Sequence, residues 1–127
     1  MDIPKNALNW FEIPVADFER ARRFYSAIFN FEMPVFEMGE SRLGILPYDQ
    51  KGGGVGGAIN QHERLKPSAS GTLVYLNGGA DLDVILGRVE KAGGRVLITK
   101  TVVTPEIGFI GLFQDTEGNT VGLHSDG

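Results

Sequence analysis

Between Leu8 and Phe29 the chain alternates apolar and mixed positions, then changes to an apolar repeat of three and four residues. This predicts a strand, a turn and a helix. In the strand, Phe11 and Ile13 point one way and Leu8, Trp10 and Glu12 the other, because side chains alternate across a pleated strand. Asp17 is placed to cap the helix, its carboxylate accepting from the free backbone N–H groups of the first turn. Glu19, just inside, suits the positive end of the helix dipole. Phe18, Ala21, Phe24, Tyr25, Ile28 and Phe29 form the apolar stripe, while Glu19, Arg20, Arg22 and Arg23 face elsewhere. The stripe needs a sheet to lie on, and the Phe11 and Ile13 face supplies it. Leu8, Trp10 and Glu12 are left on the side away from the helix, where a site is to be sought.

Phe31 to Met38 and Arg42 to Pro47 read as a hairpin turned by Gly39, Glu40 and Ser41, with Pro34 confining the first run to a sheet edge. Tyr48 to Gly57 is rich in glycine, but no helical period follows it as a phosphate-cradling loop requires. It reads as a flexible loop leading into a strand over Val55 to Asn60. Gln61 to Ser70 is polar, contains Pro67 and reads as a linker. The opening pattern then returns, with a strand over Gly71 to Asn77 and Asp81 as the cap. A stripe of Leu82, Ile85, Leu86, Val89 and Ala92 follows, stopped by Gly93 and Gly94. Three more strands are expected over Arg95 to Val103, Ile107 to Gln114 and Asn119 to His124, the last two joined by a turn at Asp115 to Asn119. Each half therefore reads βαβββ. The expectation is an α+β fold in a single domain over residues 1–127, made of modules 7–60 and 71–124 joined by the linker 61–70. Such a duplication predicts two similar sheets sharing one interface or cleft.

Composition narrows the function classes. A chain of 127 residues buries somewhat under ~70% of its unfolded surface, enough for one real core. Hydrophobic residues at 42% and charged residues at 22% are ordinary globular usage, which argues against disorder. No apolar run approaches the ~20 residues that span a bilayer, so no membrane partner is expected. The start of the chain has no basic region followed by an apolar one, so it does not read as a secretory signal. The absence of cysteine excludes disulfides and thiolate metal sites and fits a reducing compartment, and a cytoplasmic location is the default. Net charge is −4, and only Arg20, Arg22 and Arg23 approach a basic patch, so no nucleic-acid partner is expected.

Three stretches carry a resemblance: IPVADFERARRFY from Ile13 to Tyr25, VEKAGGRVL from Val89 to Leu97, and GLFQDTEGNTVGL from Gly111 to Leu123. In these the chain resembles the vicinal oxygen chelate superfamily, which includes glyoxalase I, bleomycin-resistance proteins and extradiol dioxygenases. Thr116 stands where proline is common in the turn. The resemblance implies paired βαβββ modules curving into a cupped mixed sheet whose concave face holds a small molecule, often within a homodimer. Metal-using relatives place His or Glu ligands on the first and last strand of each module. Carried over, those positions are Trp10, Leu73 or Val74, Gly122, and one among Gly56, Gly57, Ala58 and Ile59, with Asn60 the only polar candidate. A divalent ion needs about three imidazole or carboxylate ligands. No metal ligand set and no cofactor are therefore expected, and His62 with Glu63 in the linker lacks a third partner.

Polar groups remain on the cup face. Glu12 shares Trp10's face, Tyr75 and Asn77 share Leu73's unless a bulge at Gly78 shifts them, and Thr120 and His124 share Gly122's. The candidate ligand-binding residues are Trp10, Glu12, Asn60, Tyr75, Asn77 and His124, aromatic walls with a few polar anchors. Glu12 and His124 are the candidate catalytic pair, an acid and a base if their strands approach. A strand-face Glu is more often solvated, and a His three residues from the chain end is more often a surface residue. The first expectation is thus metal-independent binding of a small apolar or aromatic molecule between the modules. The alternative is a lyase, isomerase or dioxygenase-type enzyme using Glu12 or His124 or a non-standard metal site. A third is a subunit that uses the fold only for dimerisation.

Overall fold

The computed structural model describes residues 2–127. The first half runs β1 (Trp10–Pro14), α1 (Phe18–Phe29), β2 (Val35–Met38), β3 (Ser41–Ile45) and β4 (Gly56–Gln61). The second runs β5 (Tyr75–Asn77), α2 (Asp83–Val89), β6 (Arg95–Thr104), β7 (Gly108–Gln114) and β8 (Thr120–Ser125). The result is an α+β fold of two βαβββ modules. One sheet has the order β1-β4-β3-β2 and the other β5-β8-β7-β6, each mixed because its first strand lies parallel to its last.

Helix α1 forms where the sequence places it. Asp17 accepts from the Arg20 backbone N–H at 3.1 Å, and Asn30 ends the helix in the left-handed region at φ 52°. Helix α2 is shorter than its apolar stripe, and Asp81 does not cap it. The Asp81 carboxylate instead closes a turn with the Asp83 N–H and pairs with Lys100, while Leu82 takes the capping position. The Leu82 N–H is met by the Ser125 hydroxyl from β8 at 3.0 Å. Strand β5 is also shorter than expected, since residues before Tyr75 approach β8 without laddering beyond the Gly122 N–H to Val74 carbonyl bond.

The two helices pack on the sheet faces opposite Trp10, Glu12, Tyr75 and Asn77 and share one core, in which Phe18, Phe24, Tyr25 and Ile28 of α1 meet Ile85, Leu86 and Val89 of α2 and Phe113 of β7. Phe24 and Phe113 have ring centroids 5.8 Å apart. The turn between β7 and β8 locks this arrangement across the chain. The Glu117 side chain is fully buried and accepts from the Ala16 and Asp17 N–H groups and from Arg20, with Nε at 2.7 Å. Buried Asp115 accepts from the Tyr25 hydroxyl at 2.7 Å, and Asn119 donates to the Pro14 carbonyl. Each module thus supplies acceptors for the exposed N-terminal donors of a helix or turn in the other half or in itself. Apolar side chains remain open on the edge strands: Phe36 at 57% and Met38 at 62% on the β2 face shared with Glu12 and Asn60, and Val102 at 56% near the end of β6.

Candidate functional site

The backbone crossings align the two modules. The Val15 N–H donates to the Asn60 carbonyl, and the Gly78 N–H to the His124 carbonyl. Counting back from each, Trp10 corresponds to Leu73 rather than Val74, and Ala58 to Gly122. The register pairs Trp10 with Gly56, Glu12 with Ala58 and Pro14 with Asn60, and likewise Tyr75 with Gly122 and Asn77 with His124. Directly paired residues of neighbouring strands share a face. Tyr75, Asn77 and His124 therefore do lie together, with no shift at Gly78.

In the first module this face carries a hydrogen-bonded chain. Glu12 accepts from the Trp10 indole N–H through Oε2 at 3.2 Å and from the Asn60 amide through Oε1 at 2.8 Å. Asn60 is buried and its Oδ1 has no partner. Trp10 is 40% exposed and meets the Tyr48 ring edge-on, with centroids 6.1 Å apart. The Tyr48 ring lies flat over Gly56, where a Cβ would sit 2.5 Å from it. In the second module Tyr75 covers Gly122 in the same way. The Asn77 side-chain oxygen accepts from the Gly79 N–H, and a His124 ring nitrogen bonds the Ile107 carbonyl. The structure brings Trp10, Glu12 and Asn60 together, and no hydrogen bond joins Glu12 to His124.

Two cavities lie along the seam between the modules, of about 440 and 450 Å3, and Leu8 and Phe11 border both. The first sets Glu12, Ile13 and Pro14 against Thr72 and Val74, and the second sets Leu8 and Phe11 against Tyr75 and Asn77. The edge strands β1 and β5 therefore run in opposite directions along the seam, and they belong to separate hydrogen-bonded sheets. Of the sequence candidates, Glu12, Tyr75 and Asn77 line these cavities; Trp10, Asn60 and His124 stand behind or beside the walls. Sequence reasoning missed Lys66, Ser68 and Ser70, which read as linker, and Thr72, which read as the start of the next strand. The alternation of hydroxyls at Ser68, Ser70 and Thr72 was the available signal, an extended segment showing one side to the seam.

The four positions equivalent to a metal ligand set are Trp10, Ala58, Leu73 and Gly122. An indole, a methyl, an isobutyl group and a hydrogen supply no donor atom for a divalent ion. Among the described residues, no three His, Asp or Glu side chains converge on a point that would hold one elsewhere.

Residues 7–123 match the model of the Glyoxalase/Bleomycin resistance protein/Dioxygenase superfamily. The chain belongs to that superfamily. A "Glyoxylase-like domain-containing protein" from Didymella fabae is 30% identical to it over 112 residues, 86% of this chain and 85% of that one. Among solved structures, TnmS3, an antibiotic binding protein from Streptomyces sp. CB03234, is similar with a TM-score of 0.67 at 20% identity, over 98% of each chain. Glyoxalase I from Zea mays is similar with a TM-score of 0.64 at 14% identity, over 93% of this chain. This superfamily member spans less than half of the maize enzyme, 44% of its length. Among the described residues no helix is long and apolar enough to cross a membrane.

Proposed function

We propose that this glyoxalase-superfamily protein binds a small apolar or aromatic molecule between its two modules without a metal. Two observations support the reading: cavities at the seam, and, outside their walls, a ligand-position set, Trp10, Ala58, Leu73 and Gly122, that has no donor atom. Two cavities in the size range of small-molecule sites, walled by apolar side chains with a few polar groups, favour binding by contact area and hydrogen bonds. The likeness to an antibiotic binding protein supports sequestration as one use of such a cup. Apolar side chains left open on β2 and β6 support a homodimer, since a second copy would cover them. The scattered positive charge supports neither a nucleic-acid nor a membrane partner, and the lack of cysteine supports a cytoplasmic location.

Trp10 is the single tryptophan and its indole N–H bonds Glu12 of the cavity wall, so its emission reports changes at that wall. The reading predicts that small aromatic compounds change Trp10 emission saturably and that the purified protein carries no stoichiometric transition metal by elemental analysis. A tightly held metal ion at one per chain would sink it.

A second reading, enzymatic, is favoured by Glu12, a carboxylate in a cavity wall whose two oxygens are positioned by Trp10 and Asn60. A held carboxylate can take a proton from a bound substrate. Turnover that disappears in Glu12→Gln while ligand affinity stays would select this reading over sequestration.

A further inference from the structure

The glycine-rich segment between β3 and β4 is bonded to itself rather than to the rest of the molecule. The Asp49 carboxylate accepts from the Gly52 N–H at 2.9 Å and its carbonyl from the Gly54 N–H at 2.8 Å, while the Gln50 carbonyl takes the Gly53 N–H. Among the described residues, no hydrogen bond joins residues 48–55 to another part of the chain. What fastens the segment is one ring. Tyr48 lies against the bare backbone of Gly56 and meets Trp10 edge-on, with centroids 6.1 Å apart, and its hydroxyl has no partner among the described residues. The roots of the segment, Leu46 and Pro47 on one side and Val55 and Gly56 on the other, wall the second seam cavity.

We propose that residues 48–55 are a gate on that cavity, a self-bonded unit that pivots where Pro47 and Gly54 join it to the strands and is shut by the Tyr48 ring. This rests on the reading of the seam as a binding site and adds how that site is entered. A compact loop with its own turn bonds keeps its shape when it moves, so opening costs the contacts of one ring and little else. Because Val55 and Gly56 belong both to the gate's root and to the cavity wall, lifting the gate widens the cavity. Gly56 is what lets the latch close, since a Cβ there would lie 2.5 Å from the Tyr48 ring. Tyr75 rests on Gly122 in the same way but belongs to strand β5, so of these two covered glycines only Gly56 carries a ring free to swing.

Nuclear magnetic relaxation dispersion on the ligand-free full chain tests the motion. One shared exchange rate is expected for residues 48–55, in the microsecond to millisecond range of loop gating. Tyr48→Ala and Gly56→Ala, which release the ring in two different ways, should raise the opening rate by up to about tenfold, the worth of an aromatic pair, and Tyr48→Phe should leave it unchanged. Amide protection at Gly53 and Gly54 should persist in all three variants, because the internal bonds survive. Separate rates from residue to residue, no exchange, or lost protection would overturn the gate. Entry is followed with N-phenyl-1-naphthylamine, an uncharged aromatic that accepts energy from Trp10. In the wild type the observed binding rate should level off with rising probe, at the opening rate. In Tyr48→Ala that plateau should rise by up to about tenfold, with exit faster to the same degree and affinity unchanged. A wild-type rate that climbs linearly with probe would overturn the gate and leave the binding reading standing. No energy transfer in any of the proteins would overturn the binding reading and the gate's role with it.

Discussion

The Asn60 side-chain amide donates to Glu12 Oε1 at 2.8 Å across the parallel β1 and β4 strands, while the other end of the same amide, Oδ1, is buried with no partner. One polar side chain thus holds a site carboxylate in place at a cost to stability. A buried unpaired acceptor is worth about 1–3 kcal/mol of destabilisation.

Asn60→Val should therefore stabilise the protein by about 1 kcal/mol, since it removes the orphan acceptor from a central strand and adds a β-branched residue there. Exposed Glu12 can turn to water instead. Ligand affinity should fall in the same variant, the trade expected where a site residue is kept for function. Urea denaturation checks the first half, and a lower midpoint would mean that Oδ1 is satisfied in solution.

Tyr75 and Gly122 should be energetically coupled. A methyl at residue 122 would collide with the Tyr75 ring, so Gly122→Ala is expected to destabilise by about 1–3 kcal/mol, the usual range for overpacking. In a Tyr75→Ala background most of that loss should vanish, and the double-mutant cycle measures the coupling. Additive losses would show that the ring does not rest on Gly122.

Glu117 should govern the acid limb of stability. Burial raises its pKa, but donation from Arg20, the Asp17 N–H, Thr116 and the Ala16 N–H outweighs this and holds it below the usual value. A folded-state pKa below the unfolded one, about 4.3, adds stability that is full above that pH and fades as pH falls through the folded value. Glu117→Gln should cost about 1–3 kcal/mol at pH 7, and its deficit should shrink on acidification below pH 4 or so. Chemical denaturation at several pH values reads the slope, and a deficit independent of pH would contradict the assignment.

Tyr25 should resist ionisation. Burial, followed by the neighbouring Asp115 charge and the hydrogen bond to it, pushes the hydroxyl well above its ordinary value. Its contribution is complete below the unfolded pKa of about 10 and is lost only as pH rises towards the folded one. Spectroscopic titration should find one of the three tyrosines silent until the chain unfolds in alkali. Tyr25→Phe should lower stability by about 1–3 kcal/mol by leaving the Asp115 carboxylate short of a donor.

Local signals made much of the fold readable. Asp17 three residues before the N–H it receives, the alternation from Trp10 to Ile13, the apolar stripe of α1 and the Asp115 to Asn119 turn all act within a few residues, where sequence spacing and spatial spacing coincide. The same spacing displayed the donor-free set at Trp10 and Gly122. Other features arise between parts of the chain far apart in sequence. Ser125 starting α2, Asn60 reaching Glu12, Tyr48 over Gly56, and the Ser68 to Thr72 hydroxyls facing β1 depend on strand register and on how the two modules meet. Periodicity tells which side of an element a residue occupies, whereas the neighbour on that side is chosen by the packing of the whole core. The sequence by itself determined the paired modules and the chemistry missing from them; tertiary packing decided which polar groups the seam presents.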